Sequence, residues 1–239
     1  MSLPTVTIII PTYNEATHLP LLFDSLRAQI HQPDAIIVAD ARSTDPTRNI
    51  AESYGATVID GGKPGAGRNA GARIAQTELL YFLDADVVFP DPEMLERTLT
   101  AFTEMQLDIA TMDICPSDGI AIDRLSLHVY NRYVRKIISR HPHAAGASIL
   151  VRRTLHEALR GFDETITFAE DHDYARRAVR KGRFGMLPES CYVATSMRRS
   201  ERDGRLLMIF KWITAELHLL FLGPIRHEHF HYDLGEKEK

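Results

Sequence analysis

The chain has few cysteines and no excess of one charge, and both shortages restrict its function. Cys115 and Cys191, its two cysteines, stand far apart among 239 residues and lack the spacing of metal ligands. This cysteine usage is typical of a protein among reduced thiols, and we expect a cytoplasmic location. The net charge of -4, from 28 basic and 32 acidic residues, disfavours binding to nucleic acid and names no partner.

Long apolar runs are also missing. Residues 6–10 form an apolar run that ends at a proline and has no basic segment before it, so we expect no secretory signal. Residues 206–222 are interrupted by Lys211, Glu216 and His218, which disfavours a membrane span. We expect a helix there. Its apolar surface would either rest peripherally on the inner face of the membrane or form a core or dimer contact.

Short β-rich runs alternate with longer helical patterns, which predicts an α/β fold with a Rossmann-like, mostly parallel sheet flanked by helices. The expected strands are residues 5–10, 35–39, 57–59, 79–83, 108–112 and 145–151. The expected helices are residues 17–30, 44–54, 68–75, 92–105 and 122–138. We expect one domain at residues 1–200, on which an apolar helix and a histidine-containing tail at 201–239 pack.

Four predicted loops leave the carboxyl ends of the first four strands. They are residues 11–15, 40–45, 84–86 and the glycine-rich segment 61–67. In an open parallel sheet, ligands bind beyond the carboxyl ends of the strands, so we expect these loops to form one crevice.

Two acidic clusters carry chemistry that suits sugar transfer. Asp84 and Asp86 follow the apolar run 79–83, whereas Glu170 and Asp171 begin a predicted helix far downstream. Carboxylates are hard oxygen ligands for Mg²⁺ or Mn²⁺, and a metal on a diphosphate improves that leaving group. The second cluster can accept a proton from an incoming hydroxyl. Each cluster alone would also fit a solvated turn or a helix cap.

Six motifs, in this order along the chain, resemble the signature of family 2 glycosyltransferases with the GT-A fold. They are TIIIPTYNE at 7–15, VADARSTD at 38–45, GRNAGA at 67–72, LDAD at 83–86, GFDE at 161–164 and EDHD at 170–173. Agreement of ordered motifs is more specific than any single match. The resemblance implies an inverting glycosyltransferase that uses a nucleotide-sugar donor and Mg²⁺ or Mn²⁺.

The resemblance also implies roles for residues that bind the donor. Pro11, Tyr13 and Asp40 would hold the nucleoside, because an aromatic face suits a base and a carboxylate accepts from a base N–H or a hydroxyl. Glu15 lies in the same loop as Tyr13 and is included among the substrate-binding residues. Arg68 would approach the phosphates through charge-assisted hydrogen bonds.

The two acidic clusters then receive distinct roles from the resemblance. Asp84 would bind ribose or sugar, Asp86 the metal, Glu170 the substrate, and Asp171 would be the catalytic base. The acceptor would be a glycan, a small molecule or a polyprenyl phosphate. A polyprenyl phosphate oxygen is already anionic, so Asp171 would orient it without removing a proton. Arginines before the apolar helix, from Arg198 to Arg205, would suit that phosphate or anionic headgroups.

Alternatives remain open at three points. Residues 40–42, Asp-Ala-Arg, stand where the family often has two acids and a glycine, which weakens the case for a uridine donor. A sugar nucleotidyltransferase, or a non-catalytic nucleotide-sugar binding protein, would share part of this pattern. One of the tail histidines, His227, His229 or His231, would reach the site metal, unless the tail is disordered.

Overall fold

The computed structural model describes residues 3–138, 141–221 and 223–226 of the protein. Within them, the chain forms a 7-stranded sheet and a 3-stranded sheet, with helices on both faces of the larger one. The larger sheet has the strand order β3-β2-β1-β4-β8-β6-β9, and the smaller has the order β5-β10-β7. The predicted α/β class is therefore confirmed.

The first four strands form the parallel half of the large sheet, as predicted. They are β1 (Val6–Thr12), β2 (Ala35–Asp40), β3 (Thr57–Asp60) and β4 (Leu79–Leu83). Their registers are parallel throughout, with Thr12 opposite Asp40 and Asp40 opposite Asp60. Three helices connect them: α1 (Leu19–Arg27), α2 (Thr47–Ser53) and α3 (Pro64–Ile74). Because the strands are parallel and adjacent, their carboxyl ends share one edge of the sheet.

The start of α3 differs from the prediction. Residues 61–67 were expected to be a loop, but the helix already begins at Pro64, a residue well suited to the first helical turn. Small residues allow this helix to lie very close to the sheet. A Cβ atom at Gly71 would be 2.4 Å from Cγ2 of Ile9 on β1, so only glycine fits there. The close approach brings Arg68 over the carboxyl edge of the sheet.

The second half of the chain is less regular. Its strands are β5 (Val87–Val88), β6 (Ile109–Thr111), β7 (Asp113–Pro116), β8 (Ser148–Arg152), β9 (Phe184–Met186) and β10 (Tyr192–Thr195). Its helices are α4 (Met94–Glu104), α5 (Ala121–Ile137), α6 (Arg153–Leu159), α7 (Glu170–Ala178), α8 (Arg198–Asp203) and α9 (Arg205–Phe221). Strand β8 runs antiparallel to both of its neighbours, β4 and β6. Its amino-terminal end therefore lies at the same edge as the carboxyl end of β4.

The core has two layers, one on each face of the large sheet. On β1, Ile8 and Ile10 point to the face covered by α1 and α4, whereas Ile9 between them belongs to the opposite cluster, with Phe82 and Phe162. This alternation follows from the period of two in an extended strand. Both faces are buried, which explains why the strands read as continuous apolar runs.

Helix α9 is only partly covered by the rest of the protein. Ala215 and Leu219 are buried against Ile225, whereas Leu206 and Phe210 are 76% and 63% exposed. Among the residues that the structure describes, no helix is both long enough and apolar enough to cross a membrane. The tail histidines, His227, His229 and His231, lie outside the described residues, so their predicted metal role stays a prediction.

Candidate functional site

The expected loops meet at the carboxyl edge of the parallel strands. A Cβ atom at Gly67 on α3 would be 3.2 Å from Cβ of Pro11, at the end of β1. Tyr13, two residues further on, is half-buried. The backbone N–H of Gly61 donates to the carbonyl of Asp40 at 2.7 Å, which joins the loops after β2 and β3. The structure thus brings the predicted donor-binding segments into one region.

Asp40 is fully buried at the centre of these loops. Its carboxylate accepts hydrogen bonds from the hydroxyl of Thr12 at 3.1 Å and from the backbone N–H of Ser43 at 3.0 Å. It also accepts one from the Ser43 hydroxyl at 2.5 Å, and Arg48 pairs with it at 3.3 Å. These bonds show that Asp40 holds the β1 and β2 loops together. Its role in nucleoside binding stays a prediction.

Arg68 links the two acidic clusters. Its guanidinium donates to Oε1 of Glu170 at 2.6 Å and to Oδ1 of Asp84 at 2.8 Å. It also donates to the carbonyl oxygen of Gly146 at 3.2 Å. The side chain is only 2% exposed, so these charge-assisted bonds form in a poorly solvated interior, where they are strong. Arg68 therefore fixes residues separated by more than eighty positions in sequence.

Asp171 lies in the same buried cluster, in the first turn of α7. One of its oxygens, Oδ2, accepts a hydrogen bond from the backbone N–H of Gly146 at 2.6 Å. The other, Oδ1, accepts from the backbone N–H of His172 at 2.9 Å. Burial raises the pKa of Asp171 to about 6, against the lowering effect of Arg68 and of these two bonds. A carboxylate with such a pKa can accept a proton near neutral pH.

The backbone before this cluster is strained. Ala169, which precedes Glu170, adopts a left-handed conformation with φ 58° and ψ 42°. This region is costly for a residue with a Cβ atom. Residue 169 turns the chain sharply into α7 and so directs both carboxylates of the second cluster toward Arg68.

Arg198 lies between two other acids of the site, Asp86 and Glu15. Arg198 donates a short hydrogen bond to Oε1 of Glu15, and its Nε lies 3.5 Å from Oδ2 of Asp86. Burial, together with the nearby charge of Asp84, raises the pKa of Asp86. Burial likewise raises the pKa of Glu15, although Arg198 lowers it. Asp84 and Asp86, which both follow β4, thus lie close enough to repel each other.

The charges and donor atoms of Asp84 and Asp86 decide whether a metal ion fits at this strand end. Asp84 and Asp86 are close enough for the charge of one to raise the pKa of the other, and both supply only oxygen donors. Such a donor set suits Mg²⁺ or Mn²⁺ rather than a softer ion. The residues at this strand end therefore fit the predicted metal.

Two residues of the site were missed as site residues in the sequence. Gly146 contacts both Arg68 and Asp171, but an isolated glycine between predicted elements gives no signal for such a position. Arg198 belongs to the basic run before the apolar helix, which was interpreted as a surface for phosphate. Arg198 donates to Glu15, and Arg205 donates to both oxygens of Asp123 at 3.0 Å. The predicted contact of this run with phosphate or headgroups stays a prediction.

Comparison with known families gives one match that covers most of the chain. The model of glycosyl transferase family 2 matches residues 7–159, from the second residue of β1 to the end of α6. The matched segment contains the loops after β1, β2 and β4 and the residue Arg68. It ends before α7, which carries Glu170 and Asp171.

Two relatives that are similar in sequence are glycosyltransferases. The chain is 27% identical over 198 residues to an O-antigen chain rhamnosyltransferase of Salmonella anatum, covering 75% of this chain and 62% of that protein. It is 26% identical over 194 residues to the glycosyltransferase AglE of Haloferax volcanii, covering 76% of this chain and 63% of the relative. The chain therefore spans less than two thirds of the length of these relatives.

Solved structures show the same fold. A mannosyltransferase from Pyrobaculum calidifontis, in complex with GDP-Man and Mn²⁺, has a TM-score of 0.66 at 23% identity, covering 82% of this chain and 58% of that one. TarS of S. aureus in complex with UDP has a TM-score of 0.64 at 23% identity, covering 80% of this chain and 60% of that one. These similarities establish the fold of the chain and do not identify its substrates.

Proposed function

The chain belongs to glycosyl transferase family 2, and we propose that it is an inverting glycosyltransferase that uses a nucleotide-diphosphate sugar. The observation that carries this proposal is the buried network in which Arg68 joins Asp84 to Glu170, with Asp171 alongside. In this proposal, Asp84 would belong to an oxygen-rich metal site and Asp171 would be the proton acceptor, on either side of one arginine. The GDP-Man and UDP complexes of the similar structures support a nucleotide-linked donor.

The donor would bind along the loops after β1 and β2. Tyr13 would stack on the base, and the loop held by Asp40 would contact the nucleoside through Pro11 and its neighbours. Glu15 faces Arg198, so this arginine would lie close to the donor phosphates once they enter. The choice of base is not fixed by these contacts, because Asp40 is already bonded to Thr12 and Ser43.

Asp86, assisted by Asp84, would hold Mg²⁺ or Mn²⁺ against the diphosphate. When bound, such an ion neutralises charge that develops on the leaving group. Arg68 holds Asp84 by one of its oxygens, Oδ1, which limits the rotation of this carboxylate. Preorganised charge of this kind reduces the reorganisation needed at the moment of reaction.

Asp171 would act on the acceptor. A hydroxyl oxygen of the acceptor attacks the anomeric carbon from the side opposite the diphosphate, and its proton passes to a carboxylate oxygen of Asp171. The bond between carbon and acceptor oxygen forms as the bond between carbon and diphosphate oxygen breaks. One displacement of this kind inverts the anomeric configuration. For a lipid phosphate acceptor, no proton needs to move, and Asp171 would orient the acceptor.

The exposed surface of α9 would contact a membrane. Five apolar side chains on this helix are about half exposed or more: Leu206, Leu207, Phe210, Ile213 and Leu217. An amphipathic helix with such a face lies in the interface plane of a bilayer, and the free energy of binding scales with the buried apolar area. Co-sedimentation with phosphatidylglycerol vesicles, compared with a L206S/F210S variant, would test this contact, and light scattering would detect a dimer instead.

A product assay tests the proposed activity directly. The purified chain would be incubated with Mn²⁺, a panel of nucleotide-diphosphate sugars and candidate acceptors, and the products followed by NMR. Release of a nucleoside diphosphate together with an inverted glycoside supports the proposal. Release of pyrophosphate from a nucleoside triphosphate would instead support a sugar nucleotidyltransferase. Donor binding without transfer or donor hydrolysis would support a non-catalytic binding protein.

A further inference from the structure

Two histidines and a glutamate from separate segments lie together beside α7. His143 precedes β8, His172 follows Asp171, and Glu216 lies on α9. One potential ligand atom from each lies within 4.8 Å of the others. Nδ1 of His143 and Nδ1 of His172 lie 3.6 and 3.8 Å from the same oxygen, Oε2 of Glu216. Ligands of a tetrahedral zinc ion lie about 3.4 Å apart, so this spacing is close to that of a metal site.

The cluster contains a buried polar atom that nothing in the described part of the chain satisfies. Nδ1 of His172 is buried and has no hydrogen-bond partner there. The side chain of His143 is only 5% exposed, and its ring centroid lies 3.6 Å from that of His172. A buried nitrogen without a partner costs free energy, and a water molecule or an ion bound beside it can remove that cost. The geometry therefore favours a ligand at this point.

Outer contacts orient the three side chains as they are oriented at metal sites. The hydroxyl of Tyr133 on α5 donates to Oε1 of Glu216 at 3.2 Å, which leaves Oε2 facing the histidines. Nε2 of His172 lies 3.7 Å from Oδ1 of Asp171. A histidine that ligates a metal commonly directs its other ring nitrogen toward a carboxylate, which fixes the ring.

Charge and protonation also suit a cation. Glu216 and Asp171 are the acidic side chains that contact the histidines, and Arg176 is the nearby cation. Arg176 donates to the carbonyl oxygen of Leu219 at 2.9 Å, which holds its guanidinium near the end of α9. Burial lowers the pKa of His143 to about 2 and that of His172 to about 3. Neutral imidazole is the form that binds a metal.

We propose that His143, His172 and Glu216 form a site for Zn²⁺, distinct from the carboxylate site at Asp84 and Asp86. Imidazole nitrogen suits Zn²⁺ better than Mg²⁺ or Mn²⁺, so the two sites would take different ions. Bound zinc would connect α9 and the segment before β8 to α7, and would fix the ring of His172 beside the proposed base. The fourth position of the ion would be open to water or to an acceptor group.

Zinc binding by the full chain tests this site without any donor or acceptor. After removal of metals with EDTA, the wild-type protein should bind one Zn²⁺ in competition with a chromophoric chelator. Substitution by Co²⁺ should give the strong visible absorption of a four-coordinate ion. H143Q and E216Q should each weaken zinc binding at least about tenfold. H128Q, which removes an exposed histidine on α5, is the matched control and should bind zinc like the wild type.

Two further measurements keep the outcomes distinct. Zn²⁺ should raise the midpoint of thermal unfolding of the wild type and of D86N, but not that of E216Q, because only a ligand of the native state stabilises it. D86N should still lose binding of nucleotide with Mn²⁺, so failure of the carboxylate site is separable from failure of the zinc site. The proposal is overturned if the wild type binds no zinc at micromolar concentrations, or if H143Q and E216Q bind it as well as H128Q does.

Discussion

The backbone N–H of Gly146 donates a hydrogen bond of 2.6 Å to the carboxylate of Asp171. The same glycine accepts a bond from Arg68 through its carbonyl oxygen, so one residue without a side chain contacts both charged groups. A Cβ atom at this position would lie 3.0 Å from Oδ2 of Asp171 and 3.1 Å from Nη2 of Arg68. The relative position of Asp171 and Arg68 thus depends on a residue that neither acidic cluster includes.

Gly146→Ala should therefore damage catalysis more than folding. The added methyl group would displace Asp171 or Arg68 by a few tenths of an ångström. Since misplacement by about 1 Å costs roughly a hundredfold in rate, this smaller shift should cost roughly tenfold. We expect kcat to fall by about that factor, while the KM for the donor changes little. Steady-state kinetics measure both, and circular dichroism checks the fold. An unchanged kcat would show that Gly146 does not position the base.

Asp171→Asn should lower kcat for a hydroxyl acceptor by roughly a hundred- to ten-thousand-fold, because the amide cannot accept the proton. Donor affinity, measured by calorimetry, should stay close to that of the wild type. The control is D173N, which removes a second carboxylate of α7 that pairs with Arg177 at 2.7 Å, away from the cluster. Equal loss of activity in the two variants would remove Asp171 from its proposed role.

The pH dependence of activity and of stability should follow the ionisation of Asp171. Because burial raises the pKa of Asp171 to about 6, kcat should increase as pH rises through 6 and then level off. The folded state binds this proton more tightly than the unfolded chain, so the group destabilises the protein as pH rises from about 4 to 6.

D171N should consequently be the more stable protein at pH 8, by an amount on the order of 3 kcal/mol, since the pKa rises from 3.8 to about 6. The difference should fall to about 0.2 kcal/mol at pH 3.5, where the wild-type carboxyl is mostly protonated in both states. Urea unfolding at both pH values measures this gap. A difference that does not depend on pH would mean that the ionisation of Asp171 is not its cause.

Arg68→Met should strongly destabilise the protein. The substitution leaves Glu170 and Asp84 without the cation that they share, and removing one partner of a buried ion pair costs roughly 3–5 kcal/mol. R97M, which breaks the more exposed pair of Arg97 with Asp91, is the control and should cost about 1 kcal/mol or less. Comparable urea midpoints for the two variants would contradict the importance assigned to the Arg68 network.

Asp86→Ala should abolish metal-dependent donor binding. Calorimetry with a nucleoside diphosphate and Mn²⁺ should show a loss of at least about tenfold in affinity, because Asp86 supplies a ligand oxygen. D91N removes an acid beyond β5 that pairs with Arg97, and its donor affinity should match that of the wild type. Retained Mn²⁺-dependent binding in D86A would move the metal site elsewhere.

The parallel half of the fold could be predicted from the sequence because its strands are buried on both faces. Residues 79–83, for example, form an uninterrupted apolar run, and the structure gives β4 the bounds Leu79–Leu83. Strands β5, β7, β9 and β10 were not expected, because they contain two to four residues each and form through pairing with distant segments. A strand of two residues, such as Val87–Val88, is too short to show an alternation of apolar and polar residues.

The residues of the candidate site also fall into a predictable and an unpredictable group. Residues at or just beyond a strand end, such as Asp40 and Asp86, could be located at the carboxyl edge of the sheet from the sequence, because strand ends define the edge where ligands bind. Arg198 reaches that edge through packing of α8 against the β1 loop, and Glu216 reaches His143 through packing of α9. Sequence spacing does not encode such contacts. The sequence therefore predicts only a phosphate or headgroup contact for the basic run from Arg198 to Arg205, whereas both of its ends also bind acids of the main fold.

The reversed direction of β8 has a consequence for how the site can change. Because β8 runs antiparallel to β4, with Leu83 opposite Ser148, the chain enters β8 at the carboxyl edge of the parallel strands instead of leaving it there. Segment 141–147 therefore reaches the candidate site from a part of the sequence far from the loops after β1, β2 and β3. Substitutions in this segment would change the surroundings of Arg68 and Asp171 while those loops keep their sequence.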